Sequence, residues 1–199
     1  MKIVDPSIEI LSFTPDMEKL IERAGRVCWK SEEKITEDSH VKFIKMLKSK
    51  NHFSVLEHGH ITVWISCDRG VSHELVRHRI ANFSQKSTRY VSYVKREIAF
   101  INPKVAFDMT SEMYDTWCKA MALSEDLYIE MVKQGATPEL ARSVLPNSLE
   151  TEVVMTANVR EWLHIFDLRT SASAHPMMRY TMKLVQDEFK QKFPVLFGE

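Results

Sequence analysis

His60-Ile61-Thr62-Val63-Trp64-Ile65-Ser66-Cys67 sets Ile61, Val63 and Ile65 in alternation with Thr62, Trp64 and Ser66. An extended chain sends successive side chains to opposite faces, so this period of two predicts a β-strand with one face on the core. Working outward, residues 8–13 alternate in the same way and predict a first strand. Thr14-Pro15 then reads as a helix start, with Thr as N-cap and Pro at the first helical position. Met17, Leu20, Ile21, Ala24, Val27 and Cys28 follow on one helical face, and a second helix is expected over 39–48 with Val41, Ile44 and Leu47 inward. On the other side, 71–78 holds neither Gly nor Pro and predicts a short helix, while 89–93 and 98–101 read as a hairpin or two short strands. A long helix over 111–134 places Tyr114, Trp117, Cys118, Met121, Tyr128, Met131 and Val132 inside and ends at Gly135. Thr137-Pro138 caps a further short helix that carries Arg142. Residues 151–158 form a strand, and 162–169 and 176–193 are helices. Strands and helices follow without regular βαβ alternation, so the expected fold is α+β: a mixed, largely antiparallel sheet flanked by helices. There is no internal repeat, linker or low-complexity run, and 1–199 reads as one compact domain.

Composition narrows the function classes. The chain has 27 Lys and Arg against 27 Asp and Glu, so the total charge does not indicate a basic nucleic-acid-binding surface. No stretch approaches the ~20 apolar residues of a membrane-spanning helix, and the N-terminal run meets Asp5 and Pro6 too soon for a signal peptide. Cys28, Cys67 and Cys118 are an odd number at no metal-like spacing and read as reduced cytosolic thiols, mostly buried as small apolar groups. With 5 glycines and no Gly-rich phosphate loop, any phosphate has to be held by side chains.

The densest polar cluster is Arg77-His78-Arg79-Ile80-Ala81-Asn82-Phe83-Ser84-Gln85-Lys86-Ser87-Thr88-Arg89-Tyr90. Such a run is not core, because arginines are seldom buried without partners. From spacing alone it is either a solvated helix end and loop, with cations favoured at the helix C-terminus, or an anion site. In the second case guanidinium forks and hydroxyls would share phosphate oxygens. Basic residues interleaved with aromatics also suit single-stranded nucleic acid, but the acidic remainder cancels the charge and no nucleic-acid motif accompanies the run. Two metal readings are weaker still. His58 and His60 have a His-x-His spacing that suits zinc on a strand. His73-Glu74 lacks the second histidine at i+4, where Arg77 stands, and the neighbouring arginines would repel a cation.

Arg77-His78-Arg79, then seven residues to Ser87, then Arg89-Tyr90, resembles the signature of the flavin-dependent thymidylate synthases. Further similar stretches lie in order along the chain: Arg26 to Trp29 with Ser31, His52 to His58, Ala141 to Pro146, and Asn158 to Arg169. The resemblance implies reductive methylation of dUMP to dTMP, with FAD, NADPH and 5,10-methylenetetrahydrofolate. It also implies a cytoplasmic homotetramer with active sites between subunits, no nucleic acid or membrane as partner, and no metal. It places Ser54, Arg77, His78, Arg79, Gln85, Asn158, Arg160 and His164 at FAD, and His52 near the flavin and the folate. It places Glu74, Arg77, Gln85, Ser87, Thr88, Arg89, Arg142 and Arg169 at dUMP, with Arg89 and Arg142 on its phosphate and Arg169 facing the uracil ring. The family pattern departs after Arg169. Where members commonly have a few residues and then His-Ala-Gln, this chain has a longer segment through His175-Pro176-Met177, without the Gln.

The residue types suit that chemistry. Uracil C5 is a poor nucleophile. A cation at the O2/N3 edge favours the enolate-like form, and arginine stays charged and preorganised for this task. A thiolate would need an electropositive, partly exposed setting, which the sequence surroundings of the three cysteines do not suggest.

Overall fold

The computed structural model describes residues 1–91, 93 and 97–198. Its centre is a four-stranded antiparallel sheet in the order β2-β3-β6-β4. β1 (Lys2–Val4) and β2 (Ser7–Phe13) open the chain, followed by α1 (Met17–Trp29), α2 (Ser39–Ser49) and a 3₁₀ segment, Phe53–His58. β3 (His60–Asp68) runs through the middle of the sheet and leads into α3 (Arg69–Leu75) and β4 (Ala81–Gln85). β5 (Ala99–Ile101), α4 (Ser111–Lys133), α5 (Pro138–Ala141) and a 3₁₀ turn from Arg142 to Val144 come next. β6 (Glu150–Asn158), α6 (Val159–Arg169), α7 (Pro176–Lys192) and α8 (Pro194–Phe197) complete it.

The alternation in β3 does what the pattern requires. Ile61, Val63 and Ile65 are fully buried, and their register partners Ala157, Met155 and Val153 in β6 share that face. Trp162, Ile165 and Phe166 of α6 and Met178, Met182, Val185 and Phe189 of α7 belong to the same core cluster. Each such side chain contributes about 1.5–3 kcal/mol of burial. The opposite face is polar and internally satisfied. Thr62 and Thr156 hydroxyls lie 2.9 Å apart, Trp64 Nε1 donates to Glu152 at 3.2 Å, and Ser66 donates to Glu150 at 3.1 Å. α4 packs over a smaller cluster of Tyr93, Ile98, Phe100, Met121, Tyr128, Ala141 and Leu149. Among the described residues no helix is long and apolar enough to cross a membrane.

Several local expectations are corrected. Thr14 does not cap α1. The β2–β3 ladder runs one step further, so Thr14 N donates to His60 O and His60 N donates to the Thr14 hydroxyl, both at 3.0 Å. α1 starts instead after Asp16, which sits in the left-handed region at φ 46° and makes no side-chain cap. The buried stripe of α1 is Met17, Ile21, Glu22 and Gly25, while Leu20, Val27 and Cys28 face outward. Glu22 tolerates burial because Arg26 donates to it at 2.8 Å and the Ser39 hydroxyl at 2.8 Å, satisfying the charge. β1 and β4 lie outside the expected strands. β5 pairs with β1 in parallel, not in a hairpin with 89–93. Arg89 and Tyr90 lie in a turn closed by Val91 N donating to Ser87 O at 3.1 Å, and Ser92 falls outside the described residues.

Candidate active site

Two chain reversals build the site. At the C-terminal end of β3, Asp68 accepts from Val71 N at 2.7 Å and starts α3. That short helix ends at Leu75, and the chain returns through Arg77-His78-Arg79 into β4. Alternation along the return buries His78 and leaves Arg77 and Arg79 in solvent. At the C-terminal end of β6, Asn158 accepts from Glu161 N at 2.8 Å and caps α6. Ala81 pairs with Ala157, so the start of β4 and the start of α6 meet.

Between them lies a cavity of about 860 Å³ lined by Arg77, His78, Arg79, Asn158, Arg160 and His164, with Phe53, Ile80 and Leu163 as apolar walls. Glu57, Glu161 and Asp167 also line it, with Glu57 paired to Arg160 and Glu161 against His78. Among the described residues Arg77 and Arg79 are therefore the lining guanidinium groups without a carboxylate partner, and they suit anionic oxygens. Arg160 is held at 2.6 Å by Glu57, but both side chains are about half exposed, so the pair is weak and a ligand can displace it. Arg160 and Phe53 also border a second cavity of about 390 Å³ that contains His52, Ser54, Trp29 and Cys28. There the His52 ring stacks on Trp29, with centroids 5.7 Å apart and planes at 26°. The expected flavin residues Ser54, Arg77, His78, Arg79, Asn158, Arg160 and His164 thus line two adjoining cavities, with His52 beside them.

Behind the larger cavity is a chain of charge. Arg169, at the end of α6, donates from Nη1 to Glu74 Oε2 at 2.8 Å, from Nη2 to Glu74 O at 3.3 Å, and from Nε to His78 Nε2 at 3.0 Å. His78 Nδ1 lies 3.3 Å from Glu161 Oε1. Burial pushes His78 below the ordinary imidazole range, the Arg169 charge adds to this, and Glu161 opposes it. The ring is therefore neutral at physiological pH.

The remaining expected residues gather at the other end of β4. Gln85 donates to the Ser72 hydroxyl at 2.9 Å and to the Thr151 hydroxyl at 3.2 Å. Arg142 donates to the buried Thr88 hydroxyl at 3.0 Å. Ser87 accepts from Arg89 N at 3.2 Å, and the Arg89 side chain pairs with Glu139 at 2.8 Å, half exposed. The five residues of β4 span about 17 Å of extended chain and separate this group from Arg77–Arg79. Glu74, His78 and Arg169 are brought together in one chain. Gln85, Ser87, Thr88, Arg89 and Arg142 are not brought to the large cavity.

The sequence reading passed over Glu161, Ser72 and Thr151. Glu161 did carry a signal, since Asn158-x-x-Glu161 has the spacing of a capping box. Its carboxylate, however, lies against His78. Burial of the cysteines is corrected for Cys28, which is exposed at the smaller cavity, while Cys118 is partly covered and Cys67 fully buried. Burial first, then the nearby Asp68 and Glu150 charges, push the Cys67 thiol far up, so it holds its proton. Among the described residues no group of three or more His, Cys, Asp or Glu could hold a metal ion.

Comparison with known proteins places the fold and the sequence. The fold superposes on a UMP/dUMP methylase, PolB from Streptomyces cacaoi, solved with 5-Br dUMP. The TM-score is 0.84, with 21% identity over 99% of this chain and 95% of that one. The flavin-dependent thymidylate synthase of Geobacter sulfurreducens is 37% identical over 169 residues, covering 81% of this chain and 72% of the relative. That of Saccharolobus solfataricus is 33% identical over 96% of this chain and 75% of the relative. For the Pyrococcus abyssi enzyme identity is 38%, and the match spans 59% of the relative's length. The family model described as thymidylate synthase complementing protein matches residues 9–195, nearly the whole chain. By its matched length and by these identities, the chain belongs to the flavin-dependent thymidylate synthase family.

Proposed function

We propose that this protein converts dUMP to dTMP, with 5,10-methylenetetrahydrofolate as carbon donor, FAD as hydride carrier and NADPH as reductant. The observation that carries the reading is the cavity lined by Arg77, His78, Arg79 and Arg160, with Arg169 bonded to His78 of its wall. The balance is dUMP, methylenetetrahydrofolate, NADPH and a proton giving dTMP, tetrahydrofolate and NADP⁺.

The residues present fit FAD. Guanidinium groups suit its pyrophosphate, Phe53, Ile80 and Leu163 suit a ring system, and the volume is that of a small-molecule site. When bound and reduced, FAD supplies the hydride that completes the methyl group. Arg77, Arg79 and Arg160 would hold it, with Ser54 and His164 beside them. Asn158 contributes its amide N–H₂, because its carbonyl is committed to the α6 cap. Arg169 polarises the O2/N3 edge of uracil and stabilises the charge that grows as C5 attacks the methylene carbon. Glu74 orients the guanidinium. His52 lies beside the route of the folate. Arg142 and Arg89, with Ser87, Thr88 and Gln85, hold the nucleotide and its phosphate.

Ser87, Thr88, Arg89 and Arg142 do not line the cavity that Arg77 and Arg79 line in this chain. A homotetramer that brings the Gln85–Arg89 end of one subunit to the Arg77–Arg79 end of another would complete each site, with residues 1–199 as one catalytic domain in the cytoplasm. The test is an absorbance titration of the pure protein with FAD, then dTMP formation with all co-substrates, and sedimentation at working concentration. Uptake of FAD, dTMP production and a tetramer are expected. Failure to take up FAD refutes the enzyme reading, and an active monomer refutes shared sites.

A further inference from the structure

Glu161 has no part in the chemistry above, yet its side chain is buried at 7% exposure beside an equally buried histidine. The bonding of Arg169 decides which nitrogen of that histidine carries the proton. A guanidinium only donates, so His78 Nε2, 3.0 Å from Arg169 Nε, presents its lone pair. The single ring proton of the neutral imidazole then sits on Nδ1 and faces Glu161 Oε1 at 3.3 Å. A carboxylate on one ring nitrogen fixing what the other can do is a general property of histidine.

We propose that Glu161 is a positioning residue for Arg169: it holds the His78 proton on Nδ1, so that Nε2 accepts from Arg169 Nε and fixes the plane in which the guanidinium meets the pyrimidine. This rests on the reading of Arg169 as the group that polarises the base. Glu74 holds the far end of the guanidinium through Nη1 and Nη2, so Glu74 and His78 together define its orientation. Without an acceptor at 161 the proton can move to Nε2, where it would oppose the Arg169 N–H, and the guanidinium would have to turn away.

The groups facing His78 are Glu161, Arg169 and His164 from α6, with Glu74 of α3 beyond the guanidinium. A second proton on His78 would occupy Nε2 and break the same bond. Turnover therefore falls as pH drops through the His78 pKa. That pKa is already held low by burial and Arg169, and it would fall further once the opposing Glu161 charge is removed.

The experiment compares E161A, E161Q, R169A and the E161A/R169A double variant in the FAD-loaded protein. It measures kcat and KM for dUMP, the pH profile, and crystal structures of the two Glu161 variants. E161A is expected to lose about 10–100-fold in kcat, the usual cost of removing a group that orients a reacting one, with KM nearly unchanged. E161Q retains a carbonyl acceptor for Nδ1–H. It should stay within about threefold of the unmodified enzyme, with the acid limb moved to lower pH. The double variant should be no slower than R169A, because both changes remove one function. Normal turnover in E161A, equal loss in E161Q and E161A, or multiplied losses in the double variant would each overturn the proposal. Should E161A fail to fold, E161Q alone decides by its rate and its acid limb. A fully active R169A would overturn the base-polarising role instead. The E161A crystal structure then decides positioning: a retained 3.0 Å His78–Arg169 contact overturns it, and a lost contact sustains it.

Discussion

Replacing Arg169 with Ala separates activation of the pyrimidine from binding of the nucleotide. Three of the five N–H donors of Arg169 are engaged, by His78 Nε2, Glu74 Oε2 and Glu74 O. One N–H each on Nη1 and Nη2 is then available to the O2/N3 edge. A bond of this charged kind contributes about 1.5–3 kcal/mol. Only the part that strengthens as the base becomes enolate-like accelerates the reaction. Loss of a preorganised donor to a developing oxyanion costs about 2.7–4 kcal/mol, or roughly 100–1000-fold in kcat, and that range is expected for R169A at saturating dUMP. Folding should suffer little, since Glu74 is 37% exposed and rehydrates, and only the buried His78 Nε2 loses a donor. Lys at 169 should rescue little, because one ammonium cannot hold Glu74, accept orientation from His78 and meet two uracil atoms at once. Steady-state dTMP formation gives kcat and KM, and anaerobic flavin bleaching by NADPH gives the control, which should be unchanged. Arg142→Ala should behave oppositely, raising KM for dUMP with kcat largely kept, since phosphate charge is the same in ground and transition states. An R169A enzyme with normal kcat and only weaker dUMP binding would refute the reasoning and pass the role to His52 or Arg77.

Changing all three cysteines, Cys28, Cys67 and Cys118, to Ala should leave turnover intact in protein that still folds. Cys67 is buried and protonated, and removing its sulfur costs stability through a small cavity. Turnover lost with FAD and dUMP binding intact would reveal a thiol nucleophile. Gly25→Ala should lower the melting temperature despite the helix-propensity gain of up to about 1 kcal/mol. A Cβ there would meet the Phe43 ring at 2.6 Å, and overpacking of that kind costs about 1–3 kcal/mol. A melting temperature at or above that of the parent would show that α1 and α2 have room to separate.

How far the sequence could be read depended on the range of the interaction involved. β3, β6 and α4 were legible because period two and period 3.6 are local properties, visible within one segment. β4 has the alternating exposure of a strand, with Asn82 and Ser84 outward. It escaped notice because an edge strand in a polar run lacks a continuous apolar face. The Thr14 cap failed because a hydroxyl that can cap a helix can equally close a β-ladder, and register with His60 chose the ladder. Leu20, Val27 and Cys28 face outward while Glu22 is buried against Arg26 and Ser39, a stripe that no hydrophobic period predicts. In the site, the sequence by itself determined the chemistry available, arginines for anions and a neutral or charged histidine, but not that Cys28 stands exposed at a cavity with His52 and Arg160. It also determined the family, through the spacing from Arg77 to Arg89. Only the tertiary structure decided that His78 is buried between Glu161 and Arg169, that Glu74 holds the same guanidinium, and that Gln85 to Arg89 stand at the far end of β4. The His78 and Glu74 contacts come from side chains tens of residues apart meeting where α3 and the turn after it face α6, and the burial that keeps His78 neutral is a property of that meeting and not of any one segment.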